Sequence, residues 1–358
     1  MIKRSLSYLI SSADAGRTIE EFLRTRGYSH RLIVHLRNTP LGLTIKGETA
    51  YTTHILKEKE LLCVTLIEEE SSEHIIPSPL PLSIIYEDED ILVINKAPGV
   101  PIHPSQGHFE HTLANAVAWY YQSKGEPIIY RAINRLDRDT SGLLIIAKHM
   151  LSACILSDQM VKRQIRREYR AVVCGNLPPE GTITVPIARV PGSTIMRQTD
   201  FENGEYACTH FTKLSYNSKN DLSYISLRLD TGRTHQIRVH MTHIGHPLPG
   251  DFLYHPDYRF IGRQSLHSFR LSFSHPLTGK EMTFEARIPD DFSFAVPDGC
   301  SVSGCPAPSG RPDMAGVKLQ AGKTHLFAEN FFLQKRKETA PAFTTGSPER
   351  VSFSFHHI

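Results

Sequence analysis

A chain of 358 residues, 40% of them hydrophobic, can bury a sizeable core in one large domain or in a few smaller ones. The formal net charge of +3 says little about partners, because nucleic-acid binding depends on where the basic residues cluster. No apolar run approaches the roughly 18 residues that span a bilayer, and residues 1–10 lack a signal-length apolar segment, so we expect a cytoplasmic protein without a membrane partner. Six scattered cysteines without a Cys-x-x-Cys pair predict neither a disulfide framework nor a zinc site.

The first 67 residues are the basic part of the chain, with ten Lys and Arg against six Asp and Glu. Their pattern predicts a helix over residues 14–23 capped by Asp14, a second helix that starts at Ser29, and short strands near residues 43–48 and 61–67. Apolar residues on one face of the second helix leave Arg31 and Arg37 facing outward, where RNA phosphates could bind. Residues 12–67 resemble an S4-type RNA-binding domain. The alternative is a basic helix face that only meets solvent.

Residues 68–82 combine an acidic run with three prolines, a composition that predicts a linker. A hairpin over residues 83–96 then begins the second domain, a proline-rich loop follows at 97–104, and a helix is predicted at 112–121. Further strands are predicted at 206–214 and 222–229, and a hairpin at 265–286. Residues 297–358 are rich in Pro, Gly, Ser and Lys, and we predict a mostly disordered tail without a role in chemistry.

The stretch Arg-Leu-Asp-Arg-Asp-Thr-Ser-Gly at residues 135–142 runs directly into the apolar segment 143–147. This order predicts a charged turn held at the mouth of a buried strand. The neighbouring arginines favour an ionised carboxylate at Asp137 or Asp139, as a nucleophile requires. By itself such a stretch is more typical of a solvated surface turn, and the other motifs of the chain are what favour a functional site.

Residues 162–170 form the strongest basic cluster, with five basic residues against one acid after a helix predicted over 151–165. Its members are Lys162, Arg163, Arg166, Arg167 and Arg170. The strand predicted at 169–174 begins with Tyr169, and a ring beside arginines can stack on an unpaired nucleobase while the arginines neutralise phosphates. A tyrosine at the start of a strand is otherwise a core residue.

The segment Gly-Arg-Thr-His-Gln-Ile-Arg-Val-His at residues 232–240 predicts a tight turn followed by a helix capped by Thr234. Arg233 at the entrance of this helix is placed to bind a carboxylate in bidentate fashion. The histidines at 235, 240 and 243 lack the spacing of helical zinc ligands, so no metal is expected. We assign His235 to RNA binding or to structure.

Together, the motifs at residues 135–144, 168–175, 232–240 and 266–267 resemble the RluA family of RNA pseudouridine synthases over residues 83–292. The resemblance implies an α+β catalytic domain with a mixed, mostly antiparallel sheet and flanking helices, beside the small S4-like α/β domain. It implies catalytic roles for Asp137, Tyr169 and Arg233, and leaves Asp139 a structural turn residue. The family usually has His where this chain has Asn134, so we expect altered packing or substrate contacts there.

The resemblance implies conversion of uridine to pseudouridine without a cofactor, by a monomer that acts on RNA. Asp137 would attack at C1′ or C6, Arg233 would keep it ionised, and Tyr169 would stack on the uracil. Arg135 would fill the space of a flipped base, with Arg138 also on the RNA. The S4-like module favours structured ribosomal RNA, that of the large subunit first, over transfer RNA.

Two other classes of protein share some of these sequence features. A catalytically silent RNA-binding protein, such as a ribosome-assembly factor, would need the basic clusters but could lose the acidic and arginine site residues together. A glycoside hydrolase is disfavoured, because Asp137 and Asp139 are only two residues apart and no partner acid is evident.

Overall fold

A computed structural model of the chain describes residues 2–68, 75–105 and 109–295, all within one structural unit, Met1–Val302. Its strands are β1 (Ile2–Leu9), β2 (Leu43–Ile45), β3 (Glu48–Thr49), β4 (Leu61–Glu68), β5 (Ile84–Glu87), β6 (Ile91–Lys96), β7 (Ser141–Ala147), β8 (Arg166–Cys174), β9 (Glu180–Thr184), β10 (Ile187–Arg189), β11 (Arg197–Thr199), β12 (Cys208–Asn217), β13 (Leu222–Leu229), β14 (Leu266–Ser274) and β15 (Glu281–Glu285). Its helices are α1 (Ile19–Thr25), α2 (His30–Asn38), α3 (Leu113–Ser123), α4 (Met150–Val161), α5 (Gln236–His243) and a short 3₁₀ helix, Asp290–Ala295. Within the described ranges, none of these helices has the length and apolar character needed to cross a membrane. The tail predicted at 297–358 and most of the acidic part of the predicted linker lie outside the described residues.

The larger sheet has nine strands. Eight follow the order β5-β6-β7-β14-β8-β13-β12-β9, and β15 pairs with residues 270–274 of β14, beyond the two residues that pair with β7. Every pair in this sheet is antiparallel except β7 and β14, which run parallel. The prediction of an α+β fold with a mixed, mostly antiparallel sheet is therefore confirmed.

Strand β7 is the buried strand that the apolar run at 143–147 predicts, since all seven of its residues are buried. Leu144 and Ile146 join one core cluster, whereas Leu143 and Ile145 join another on the opposite face. Because successive side chains of a strand point to opposite faces, an unbroken apolar run suits a strand that is covered on both sides. The loop before β7 is therefore attached to the best-buried part of the sheet.

Gly142 is the residue that lets β7 approach β14. Its φ angle is +113°, and a Cβ placed there would lie 2.2 Å from the carbonyl oxygen of Ser268. Ser268 is the β14 residue that pairs with Gly142 in the parallel ladder. Only glycine combines this backbone angle with so close a contact.

The smaller sheet has the order β1-β4-β2-β3, all antiparallel, and shares a core cluster with α1 and α2. The predicted second helix is confirmed, with Ser29 as its N-cap. The first helix begins later than predicted, because Thr18 rather than Asp14 caps it, in a capping box with Glu21. The predicted span 12–67 leaves out β1, which pairs with β4 along its full length.

Buried charges tie the smaller sheet to the rest of the unit. Arg4 of β1 donates from Nε to Asp90, at 3.0 Å. Glu68, at the end of β4, accepts from the guanidinium of Arg131 and from the backbone N–H of Met150, the latter at 2.8 Å. Because Glu68 is almost completely buried, loss of Arg131 would leave a carboxylate in the interior without a cationic partner.

We expect Gly142→Ala to destabilise the protein by more than about 3 kcal/mol, because the new Cβ meets backbone atoms of β14 as well as an unfavourable φ angle. Gly47→Ala is the matched control, since its φ is +84° but nothing lies within 4 Å of the added Cβ. It should cost only about 1 kcal/mol. Urea unfolding of both variants measures the difference, and equal losses would contradict the close contact at Gly142.

Candidate active site

Asn134 fastens the loop before β7 to the strand that follows it. Its side-chain oxygen accepts from the N–H of Ile145 at 2.9 Å, and its amide donates to the carbonyl of Leu143 at 3.3 Å. The side chain is 2% exposed, so it is fully engaged with the backbone rather than with solvent. Asn134, which stands where the family usually has His, therefore holds the loop in place.

Lys96 and Arg263 hold the same loop from behind. The ammonium of Lys96 donates to the carbonyls of Ala97, Val100 and Arg138, at 2.8, 3.0 and 2.8 Å. Burial lowers the pKa of Lys96 to about 7, but three acceptors use all three N–H bonds of the ammonium and so favour its charged form. Arg263 donates to the carbonyl of Asp139 at 3.1 Å.

Asp137 projects from this loop and meets Arg238 of α5. Nη1 of Arg238 donates to Oδ2 of Asp137 at 2.9 Å, while Nε and Nη2 of the same guanidinium bind Asp251 in bidentate fashion, both at 2.7 Å. Arg238 and Asp251 are buried, whereas the Asp137 side chain is 25% exposed. Asp137 is thus a carboxylate with one side fixed by a cation and the other open to a substrate.

Burial opposes the charge of Arg238, but its hydrogen bonds to Asp251 and the negative charge of Asp137 raise its pKa further. The guanidinium also lies over the rings of Phe252 and Tyr254, with its carbon 5.6 and 5.0 Å from their centroids. A permanently charged arginine in this setting gives Asp137 a fixed cationic hydrogen-bond donor.

The prediction that Arg233 pairs with Asp137 is wrong. Arg233 forms an ion pair with Glu205 and donates from Nε to the carbonyl of Tyr206 at 3.1 Å. It lies in the turn before α5 and its side chain is 42% exposed, so it faces the surface. The arginine that contacts the carboxylate of Asp137 is Arg238, which lies in the first turn of α5.

His235 stands beside Asp137 rather than on the surface. Its Nε2 is 4.0 Å from Oδ1 of Asp137, and its Nδ1 is 3.0 Å from the hydroxyl of Tyr254. His235 occupies the N-cap position of α5 with a φ of +58°, so the predicted cap at Thr234 is also wrong. Burial lowers the pKa of His235, which favours the neutral imidazole.

Tyr169 is 5% exposed and belongs to the buried cluster that also contains Leu136 and Ile237. It therefore lies in the core beneath the two segments that carry Asp137 and Arg238. The proposed stacking of its ring on a base stays a prediction.

The structure brings part of the basic cluster to the turn before α5. The guanidinium of Arg167 packs against Gly232, 3.2 Å from the position that a Cβ would take there. The other candidate RNA-binding residues with exposed side chains are Arg31, Arg37, Arg135, Arg138, Lys162, Arg163 and Arg166. Arg138 forms a bidentate pair with Asp139, and Lys162 pairs with Asp158.

Two residues of the site, Arg238 and Asp251, were not predicted. Arg238 lies inside the motif at 232–240 and directly follows Ile237, which the helical pattern places on the buried face. A buried arginine needs an anionic partner, and this requirement was the available signal. Asp251 gives no comparable signal, because it lies in an irregular segment far along the chain from Asp137.

Comparison with known proteins identifies relatives of this chain. Residues 90–243 match the family described as RNA pseudouridylate synthase. The chain is 44% identical over 280 residues to an uncharacterized RNA pseudouridine synthase, YjbO, of Bacillus subtilis (strain 168), covering 78% of this chain and 98% of that protein. It is 37% identical over 244 residues to ribosomal large subunit pseudouridine synthase D of Neisseria meningitidis serogroup B, covering 65% of each. The solved structure of human RNA pseudouridylate synthase domain containing 1 matches with a TM-score of 0.50 at 28% identity, covering 60% of this chain and 86% of that one.

We expect Arg238→Met to lower the free energy of unfolding by about 3 kcal/mol or more, because it leaves the buried carboxylate of Asp251 unpaired. Arg233→Met is the matched control, and it should cost less than about 1 kcal/mol because it removes only an exposed ion pair. Urea unfolding at neutral pH gives both values. Similar losses for the two variants would contradict the assignment of Arg238 as the buried partner.

Proposed function

The chain belongs to the RluA-type family of RNA pseudouridine synthases, and we propose that it isomerises uridines of large-subunit ribosomal RNA through an essential Asp137. The observation that carries the assignment of Asp137 is its 2.9 Å contact with the buried guanidinium of Arg238. The relatives named as large-subunit synthases support the choice of substrate.

The isomerisation requires a nucleophile that is ionised at neutral pH and accessible on one side. In the proposed reaction, Asp137 attacks the nucleotide at C1′ or C6 and the N1–C1′ bond breaks. The uracil then rotates, C5 bonds to C1′, and the bond between Asp137 and C1′ or C6 breaks, which returns the carboxylate. A proton leaves C5, and N1 gains a proton. Arg238 holds the carboxylate in position for the attack. Tyr169 is the proposed stacking partner of the uracil.

A uridine in a folded RNA must leave its stack to reach Asp137, at a cost of a few kcal/mol. We propose that Arg135 fills the vacated space. Its side chain is exposed and is only two residues from Asp137. Arg135 lies near His103 of the proline-rich loop. Burial lowers the pKa of the His103 imidazole, and the positive charge of Arg135 lowers it further.

We propose that the basic residues bind RNA phosphates at two places. One is the exposed face of α2, with Arg31 and Arg37, within the S4-like module 12–67. The other is the cluster at 162–167 beside the turn before α5, where Arg167 packs against Gly232. In this proposal residues 83–292 carry the chemistry, and the protein acts as a cytoplasmic monomer.

Asp137→Asn should abolish tritium release from C5-labelled uridine in ribosomal RNA, because the amide is neither a nucleophile nor an anion for Arg238. RNA binding should stay within a few-fold of the unchanged protein. Asp139→Asn is the matched control, since this carboxylate pairs with Arg138 in the same loop. It should retain most of the activity. Substantial tritium release by Asp137→Asn would overturn the catalytic assignment.

The substrate is tested by mapping pseudouridines in cells with and without the protein. We expect one or a few sites in large-subunit ribosomal RNA to revert to uridine on deletion, and to return when the unchanged protein is supplied. Complementation with Asp137→Asn should not restore them. Loss of sites in transfer RNA alone would retain the activity and refute the proposed substrate.

A further inference from the structure

Away from Asp137, three side chains with metal-ligating atoms converge at the start of β12 and the end of β13. Sγ of Cys208 lies 3.6 Å from Nε2 of His210, and the same Nε2 lies 3.0 Å from Oδ2 of Asp230. All three ligating atoms lie within 4.8 Å of one another. We propose that Cys208, His210 and Asp230 bind one divalent transition-metal cation of the Zn²⁺ type.

The distances suit tetrahedral coordination. Zinc–sulfur bonds of about 2.3 Å and zinc–nitrogen or zinc–oxygen bonds of about 2.0–2.1 Å place neighbouring ligand atoms roughly 3.3–3.6 Å apart. The observed separations of 3.6 and 3.0 Å are close to this range before any cation is bound. Little movement of the side chains is therefore needed to enclose an ion.

The geometry does not suit a Cys-His-Asp catalytic triad. In a triad the nucleophile and the acid contact different nitrogens of the histidine, so that the ring can relay a proton. Here Cys208 and Asp230 both face Nε2 of His210. A single nitrogen shared by two partners with metal-ligating atoms is the arrangement that a cation between them would satisfy.

A second layer of polar contacts prepares the ligands. Nδ1 of His210 is 2.9 Å from the hydroxyl of Thr182, and the hydroxyl of Thr184 donates to Sγ of Cys208 at 3.6 Å. When Nδ1 donates to Thr182, Nε2 carries the lone pair that a metal requires. Both threonines come from β9, and they pair with the two ligand residues of β12 in the sheet ladder.

Charge and ligand type restrict the cation. A thiolate and a carboxylate together balance a divalent charge, while Arg163 adds positive charge near Asp230. Sulfur and imidazole ligands favour Zn²⁺-like ions over Mg²⁺ or Ca²⁺, which prefer oxygen. The side chains of His210 and Asp230 are 36% and 45% exposed, so an ion can enter and water can take the fourth position.

The position of the site gives it a structural consequence. Asp230 is the first residue after β13 and begins the turn that carries Arg233 and His235 into α5. A cation held by Cys208, His210 and Asp230 would connect β12 to this turn. Its binding should therefore stabilise the segment next to Asp137 without contact with the reacting atoms.

Another group of possible ligands, formed by Asp88, Asp90 and His275, is less suitable. Its carboxylates already accept from the hydroxyl of Tyr86 and from Arg4, at 2.8 and 3.0 Å. It contains no sulfur, so a spectroscopic probe for thiolate ligation separates it from the proposed site.

The test uses the full chain, stripped of metal by a chelator and titrated with Co²⁺ as a spectroscopic substitute for Zn²⁺. We expect a thiolate-to-cobalt charge-transfer band that saturates at about one equivalent and disappears when Zn²⁺ is added. Cys208→Ser should abolish the band. Cys174→Ser is the matched control, because Sγ of Cys174 also lies near a histidine, 3.5 Å from Nε2 of His255.

Because Cys208 is buried, two half-exposed ligands provide a second test. His210→Ala and Asp230→Asn should each weaken Co²⁺ binding at least about tenfold while the circular dichroism spectrum stays unchanged. Zn²⁺ should raise the melting temperature of the unchanged protein but not that of His210→Ala. The double variant Cys300→Ser/Cys305→Ser removes two further cysteines of the chain and is a second control. Absence of a thiolate band, its persistence in Cys208→Ser, or its loss in either control would overturn the proposal. None of these outcomes bears on the pseudouridine synthase activity.

Discussion

The site depends on one guanidinium that holds two carboxylates. Arg238 gives its Nε and Nη2 to the buried Asp251 and keeps Nη1 for Asp137. Asp251 is fixed in turn by the backbone N–H groups of Leu253 and Tyr254, at 3.0 and 3.3 Å. Because each partner is oriented in the absence of substrate, the carboxylate of Asp137 would not have to be organised during the proposed reaction. The cost of burying the arginine is offset only while both carboxylates remain in place.

The sheet supplies the other half of this arrangement by fixing the loop that carries Asp137. Strand β7 is covered on both faces, and Gly142 lets it run parallel to β14 at a separation that no other residue allows. The side chain of Asn134 makes two hydrogen bonds to the backbone of β7, and the ammonium of Lys96 donates to the carbonyl of Arg138 in the loop. These contacts act on the backbone, so they leave the side chain of Asp137 free on its exposed side.

The sequence predicts those parts of the molecule that local patterns determine. The apolar run of β7, the helix capped by Ser29 and the mixed sheet follow from periodicity and from the family resemblance. The partner of Asp137 does not, because two arginines lie five residues apart in one motif and the left-handed backbone of His235 between them is not evident from the sequence. A residue with a φ of +58° cannot be recognised from histidine alone. Convergence of Cys208, His210 and Asp230 is likewise invisible in the sequence, since it arises from the pairing of β12 with neighbouring strands.

The arginines near the site therefore differ in how firmly their partners hold them. Arg238 is buried, and its movement would leave the charge of the buried Asp251 unpaired, so it stays bound to Asp251. Arg233 is bound to Glu205 in a pair whose side chains are 42% and 67% exposed, and such pairs contribute less than about 1 kcal/mol. The motif at 232–240 thus places one arginine in the interior and another at the surface, on either side of the left-handed residue His235.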